Sequence, residues 1–144
     1  MKSKWLPKEE FDYIYSKVPR LCVDLAVVTS QGILLTKRSI TPYKGMWHTP
    51  GGTVLKKELL TDTVKRVALD EIGVNVKIRK ILGIMEILRE GESEKHTVSV
   101  YFLVTTLSNN FKNSQQSDKI KFFPALPKNM VPHQKKFLTE YLSL

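Results

Sequence analysis

Charged side chains follow two adjacent glycines in the stretch GGTVLKKELLTDTVKRVALDEIGV, residues 51–74. Adjacent glycines let a backbone bend and approach a ligand closely. In a helix, Arg66 and Asp70 are four positions apart and share a face, and Glu71 follows directly. Carboxylates beside free backbone carbonyls are the hard oxygen ligands that Mg²⁺ or Mn²⁺ prefers, together with substrate phosphates. The segment therefore indicates metal-assisted chemistry on a phosphorylated compound, although a solvated helix surface is the simpler alternative.

Three further residues of this segment define its ends and its one irregularity. Glu58 precedes the helix, where a carboxylate is favoured by the helix dipole and is able to reach Arg66. Gly73 stands where a helix commonly ends. Val67 shares a face with Glu71 and occupies a position where an acidic residue would supply a second carboxylate. The segment is thus either a catalytic helix with its base elsewhere or one that has lost its chemistry.

The elements around this segment predict an α/β (α+β) fold with a mixed β-sheet between helices. Leu60, Val64, Ala68 and Ile72 recur every fourth residue and predict a core-facing stripe on a helix over 61–72. The remaining pattern predicts helices at 6–18 and 133–142, strands at 20–30, 32–39, 74–90, 96–107 and 120–124, and loops at 40–47 and 108–119.

Composition places the chain among single-domain globular proteins. It has 144 residues, 42% of them apolar and 26% charged, so we expect one domain over 1–144. No apolar run reaches the roughly 20 residues that span a bilayer, and the N-terminus lacks the apolar region of a signal peptide. We therefore expect no membrane partner and cytoplasmic residence. The single cysteine, Cys22, lies among apolar residues and is expected to be a buried thiol.

The formal charge of +9 favours anionic partners such as phosphates. The lysines are scattered, however, so solvated surface charge explains the excess equally well. A hydrolase acting on RNA ends is a third hypothesis, which only this charge suggests. It requires affinity that falls steeply with salt. A nucleic-acid partner is not expected.

The spacing of the segment resembles the Nudix box, G-x5-E-x7-R-E-U-x-E-E-x-G-U with U aliphatic. Gly52, Glu58, Arg66, Glu71 and Gly73 match it position by position, and the similarity extends over about residues 18–123. The resemblance implies an α/β/α sandwich and Mg²⁺-dependent hydrolysis, with Mn²⁺ as the alternative ion. The substrate it implies is a nucleoside diphosphate linked to another moiety.

By the same resemblance, Gly51 contributes its carbonyl to the metal, Glu71 is the main carboxylate ligand and Asp70 is a second ligand. Glu58 and Arg66 form a catalytic-site pair that fixes the loop to the helix. Because Val67 replaces the glutamate that most members use as base or ligand, we expect fewer metals and a base elsewhere.

One branch, the GDP-mannose mannosyl hydrolases, shares this loss, and there water attacks the sugar carbon. The first half of this chain resembles that branch, which implies that Asp24 and Arg38 bind nucleotide or diphosphate and that His96 faces the site as a catalytic residue. His48, before the glycines, is a further substrate-binding candidate, with strand packing as its alternative.

Two positions differ from that branch. Thr53, also a substrate-binding candidate, replaces an arginine after the glycines. In the late loop Gln116 matches a metal ligand, but Ser117 stands where the branch has a histidine base, and Asp118 is the substitute. We therefore predict a nucleotide-sugar hydrolase that pairs as a homodimer, as related enzymes do, with a nucleotide-binding module lacking hydrolysis as the alternative.

Overall fold

The computed structural model describes residues 5–89, 94–112 and 117–143. Within these ranges the chain forms helices and strands in the order α1 (Lys8–Tyr15), β1 (Arg20–Thr29), β2 (Gly32–Arg38), β3 (Trp47–His48), β4 (Gly51–Thr53), α2 (Leu60–Ile72), β5 (Val76–Ile87), β6 (Thr97–Thr106), β7 (Ser117–Phe123) and α3 (Pro132–Tyr141).

The strands join into one mixed sheet of seven strands with β1 near its centre. β1 pairs in parallel with β6 and antiparallel with β2 and β4, and β6 pairs antiparallel with β5. β2 in turn pairs antiparallel with β3 and β7. The register that sets Asp24 opposite Gly51 fixes the glycine segment against the central strand.

Alternate side chains of β1 pack on the two opposite faces of this sheet. Val23, Leu25 and Val27 pack in one apolar cluster with the α2 residues that form its buried stripe, Val64, Val67, Ala68 and Ile72. Ala26 points the other way and packs in a second cluster with Phe137 and Leu138 of α3. Because successive side chains of a strand point to opposite faces, one strand anchors a helix layer on each side. The predicted mixed sheet between helices is confirmed.

Two loop predictions were too broad. The predicted loop at 108–119 ends earlier, because β7 begins at Ser117, and the predicted loop at 40–47 ends with the first residue of β3. Both added stretches pair with β2, whose backbone groups would otherwise lack partners. Gln116 lies outside the described residues. No helix in the described part of the chain has the length and hydropathy to cross a membrane.

We expect the central strand to dominate stability. Leu25 of β1 is fully buried, whereas Leu21 of the same strand is 44% exposed. Leu25→Ala should lower the free energy of unfolding by roughly 2–5 kcal/mol, because it removes buried methyl groups and leaves a cavity. Urea unfolding measures this value, and Leu21→Ala is the matched control. Equal losses in the two variants would contradict the described packing of β1.

Candidate active site

A cavity of about 890 Å³ opens between the glycine segment and α2. Most of the residues predicted from the sequence line it, namely Asp24, Arg38, His48, Gly51, Thr53, Arg66, Asp70 and Glu71. The cavity brings the glycine turn and the acidic end of the helix to one place, which is the arrangement that the metal prediction requires. Two predicted residues that the structure describes, Glu58 and His96, do not line the cavity.

Glu58 lies behind the cavity wall and binds Arg66. Arg66 Nε donates to Glu58 Oε2 at 2.8 Å, and a second guanidinium nitrogen donates to Glu58 Oε1 at 2.9 Å. That second nitrogen also donates to the Thr53 carbonyl at 2.8 Å. Glu58 Oε1 further accepts the Leu55 amide and the Thr63 hydroxyl. The ion pair with Arg66 lowers the pKa of Glu58 from 4.5 to about 2, against the opposing effect of burial. This network clamps the glycine segment to α2.

The acidic end of α2 carries the candidate metal ligands. Glu71 is half-buried and lines the cavity. The Asp70 side chain is 52% exposed, and its Oδ2 lies 3.7 Å from Arg66. No three acidic, histidine or cysteine side chains gather into a metal-binding cluster within the described ranges. Glu71, Asp70 and the Gly51 carbonyl, the ligands that the sequence predicts, are oxygen donors of the kind that Mg²⁺ binds together with waters and substrate phosphates.

Gly51 is required for packing as well as for a bend. A Cβ at this position would lie 2.6 Å from Asp24 Oδ1 and 2.9 Å from the Val23 carbonyl. Such contacts are far inside van der Waals separation, so any side chain would push β4 away from β1. The glycine brings the backbone of the candidate metal segment as close as possible to the central strand.

Val67 belongs to the core. It is 2% exposed, packs in the α2 cluster and reaches the cavity wall beneath the glycines. A Cβ on Gly52 would lie 3.1 Å from its Cγ2 methyl. The position therefore presents a methyl surface where the box has a carboxylate.

Asp24 is the centre of a buried hydrogen-bond network on the α3 side of the sheet. It is 7% exposed, and its carboxylate accepts the hydroxyls of Thr49, at 2.9 Å, and Ser99. Burial raises the pKa of Tyr101, which keeps its proton and donates to Thr49 Oγ1 at 2.8 Å. Gln134 of α3 accepts the Thr49 amide at 2.8 Å. These bonds fix the chain just before Gly51.

Three other predicted residues have distinct surroundings. His48 is buried beside Thr36, 3.0 Å from its hydroxyl, and burial together with Arg38 lowers its pKa to about 3. It is neutral at physiological pH and is able to offer hydrogen bonds but no charge. Arg38 Nε donates to the Pro42 carbonyl. His96 lies one residue before β6, with a buried Nε2 that makes no hydrogen bond within the described residues.

Sequence reasoning missed two groups of residues. The first is the network around Asp24, formed by Thr49, Ser99, Tyr101 and Gln134. A signal was available for part of it, because polar residues alternate with apolar ones along 97–101. The second group lines the cavity from the N-terminal side, Trp5, Phe11, Arg20, Lys95 and Thr97. The helix pattern at 6–18 shows a stripe but not which surface it covers.

Comparison with known proteins identifies the family. The family model of the NUDIX domain matches residues 18–141. The chain therefore belongs to the Nudix family, and the predicted enzyme class, a Nudix hydrolase, is confirmed.

Three relatives illustrate the similarity. Low-salt glycan biosynthesis protein Agl8 of Haloferax volcanii is 36% identical over 138 residues, which cover 92% of this chain and 88% of that protein. An ADP-ribose pyrophosphatase of Methanocaldococcus jannaschii is 29% identical over 126 residues, covering 86% and 73%. The crystal structure of a MutT NUDIX hydrolase from Burkholderia pseudomallei superposes with a TM-score of 0.79 at 24% identity, covering 88% of this chain and all of that one.

The Glu58–Arg66 pair predicts an acid-sensitive fold. Because the pKa of Glu58 is lowered from 4.5 to about 2, its contribution is complete above the higher value and disappears as pH falls toward the lower one. Glu58→Gln should reduce stability at pH 7 and flatten the loss of stability between those two pH values. Thermal melts at a series of pH values test this. Glu10→Gln, on exposed α1, is the control, and the same acid profile in Glu58→Gln and wild type would contradict the clamp.

Restoring the missing acid at position 67 should destabilise the protein. Val67→Glu buries a carboxylate without a partner, so we expect a loss of about 3 kcal/mol at pH 7. The loss should shrink at lower pH, because burial raises the pKa of such a carboxyl. Leu69→Glu is the control, since Leu69 is on the same helix and 49% exposed. Wild-type stability of Val67→Glu in urea would show that position 67 is not part of the core.

Proposed function

We propose that this chain is a Mg²⁺-dependent Nudix hydrolase acting on a nucleoside diphosphate linked to a sugar. The observation that carries the proposal is the shared cavity of Gly51, Arg66, Asp70 and Glu71, which places the glycine turn beside the acidic end of α2. Nudix hydrolases generally use divalent metals. When bound, such an ion neutralises charge on the phosphoryl oxygens and polarises them.

The substrate class is supported by the relatives and by the cavity. Agl8 is named as a glycan biosynthesis protein, and the second relative is named as acting on ADP-ribose, a nucleoside diphosphate joined to a sugar. The cavity also contains Arg20, Arg38 and Lys95, whose positive charges suit the two phosphates of such a molecule. GDP-mannose is the first member of this class to test, because the first half of the sequence resembles the mannosyl hydrolases.

The residues around the cavity have separate roles in this proposal. Glu71 and Asp70, with the Gly51 carbonyl, would hold the ion. Arg66 is held by Glu58 and keeps the glycine segment in place, while the Asp24 network fixes the chain before it. Val67 offers no carboxylate to activate water. Attack at the sugar carbon depends less on such a base, because the bond breaks mainly through departure of the nucleoside diphosphate. Asp118 stays the candidate for the base, whereas His96 does not line the cavity.

Hydrolysis of a substrate panel tests the proposal. With Mg²⁺, we expect turnover of one or more nucleotide sugars in preference to ADP-ribose and dinucleoside polyphosphates. Release of free sugar with nucleoside diphosphate indicates attack at carbon, whereas sugar phosphate with nucleoside monophosphate indicates attack at phosphorus. EDTA should abolish the reaction. Glu71→Gln should lower kcat/KM by about a hundredfold or more, because it removes a direct metal ligand.

Asp62→Asn is the matched control, since Asp62 is exposed in the first turn of the same helix. No turnover of any substrate, or an unchanged rate in Glu71→Gln, would overturn the hydrolase proposal. Nucleotide binding without turnover would support the alternative, a binding module, which the methyl surface of Val67 favours. The sheet that the described strands form together supports one domain over 1–144. Cytoplasmic residence and a homodimer stay predictions from the sequence.

A further inference from the structure

The N-terminal segment forms part of the cavity although it precedes the family match. The NUDIX match begins at residue 18, whereas Trp5 and Phe11 of the preceding segment line the cavity together with Arg20 and Lys95. We call these four residues the N-terminal wall. Trp5 contacts Arg66, and Arg66 lies on the same helix as Asp70 and Glu71, so the wall reaches the element that carries the candidate metal ligands.

The wall is not built as an extension of the core. Among the described residues of α1, none is buried. The segment is held by contacts of its own, because Asp12 pairs with Lys95 at 3.2 Å and the Lys95 ammonium lies 5.2 Å from the centre of the Phe11 ring. Trp5 remains 52% exposed. Trp5 and Phe11 both line the cavity, and aromatic side chains beside a few charged groups are typical of small-molecule sites.

The aromatic faces of the wall are combined with cations. The Arg66 guanidinium carbon lies 4.8 Å from the centre of the Trp5 ring, and that of Arg20 lies 6.0 Å from the Phe11 ring. A stacked arginine orients the indole and leaves the rest of its surface accessible. Arg20 donates to the Thr53 hydroxyl at 3.1 Å, which ties the wall to the glycine segment.

We propose that the N-terminal wall is the subsite for the nucleobase of the substrate, with Trp5 as the stacking residue. A nucleobase has an aromatic face that stacks on an indole ring, and a phosphate group attached through its ribose would meet Arg20 or Lys95. A sugar has hydroxyl groups that need hydrogen-bonding partners. A different part of the cavity lining, around Tyr43 and His133, presents polar side chains of that kind. This inference rests on the proposed function, because it says which part of that substrate the N-terminal segment binds.

Calorimetric titration of the full chain tests the subsite without requiring turnover. The probes are GDP, UDP and ADP in the presence of Mg²⁺, with inorganic pyrophosphate and hexose 1-phosphate as ligands without a base. Trp5→Ala should weaken the binding of one or more nucleoside diphosphates about 5- to 150-fold, the loss expected for one stacked base. Binding of pyrophosphate and hexose 1-phosphate should change less than about threefold, because they present no aromatic face.

Two variants control this measurement. Trp5→Phe keeps an aromatic face and should restore most of the affinity. Tyr13→Ala removes an aromatic ring from the same segment that is 67% exposed and does not line the cavity, so it should bind as wild type does. Unchanged melting temperatures show that the variants remain folded.

Fluorescence gives a second readout. The chain has two tryptophans, and Trp47 packs against Phe123 with ring centres 4.9 Å apart, away from the cavity lining. In a Trp47→Phe background, Trp5 is the only tryptophan. Nucleoside diphosphate should then quench its emission, and hexose 1-phosphate should not.

The outcomes separate this inference from the proposed hydrolysis. Turnover with unchanged nucleotide affinity in Trp5→Ala overturns the subsite alone, as does selective loss of hexose 1-phosphate binding. Quenching and loss of affinity without turnover of any substrate support the subsite and overturn the hydrolase. Absence of both nucleotide binding and turnover overturns both.

Discussion

The bidentate pair between Glu58 and Arg66 is the interaction on which the site depends. It joins three pieces of backbone, because Glu58 also accepts the Leu55 amide and Arg66 also donates to the Thr53 carbonyl. Charge-assisted hydrogen bonds of this geometry are stronger and more directional than neutral ones. Without them, the turn after β4 would have little to fix it relative to α2, and the candidate metal ligands sit on those two elements. The pair therefore holds the end of the glycine segment against α2 at the side of the cavity.

Helix α2 serves two surfaces, and Val67 lies where they meet. Its buried stripe packs on the central strand, while its acidic end faces the cavity. A glutamate at position 67 would have to reach the cavity from a buried backbone position. Valine instead extends the core to the underside of the glycines. The helix keeps its packing on the central strand, and the acidic residues that remain for the proposed metal are Asp70 and Glu71 at its end.

The sequence was sufficient to predict the architecture and to identify the Nudix box. The four-residue period of 60–72 and the alternation along 20–29 specify which faces are buried, and fixed spacing brings Glu58 to Arg66. Contacts that depend on how distant strands and helices pack could not be predicted from the sequence. The position of β7 depends on the free edge of β2, and Gln134 reaches Thr49 only because α3 packs across the sheet. Residue Asp24 illustrates the difference, since its type indicated polarity but not that its partners are within the protein.

Close contact between β4 and β1 has a consequence for how this sequence is able to change. Asp24 Oδ1 and the Val23 carbonyl occupy the space that a side chain at position 51 would need. The constraint at 51 is steric and acts whether or not an ion is bound, so glycine there would persist even in a descendant that no longer catalysed anything. Substitutions at positions 24 and 51 should therefore be only partly epistatic: a shorter residue at 24 relieves the contact with the Asp24 side chain, but the contact with the Val23 carbonyl stays.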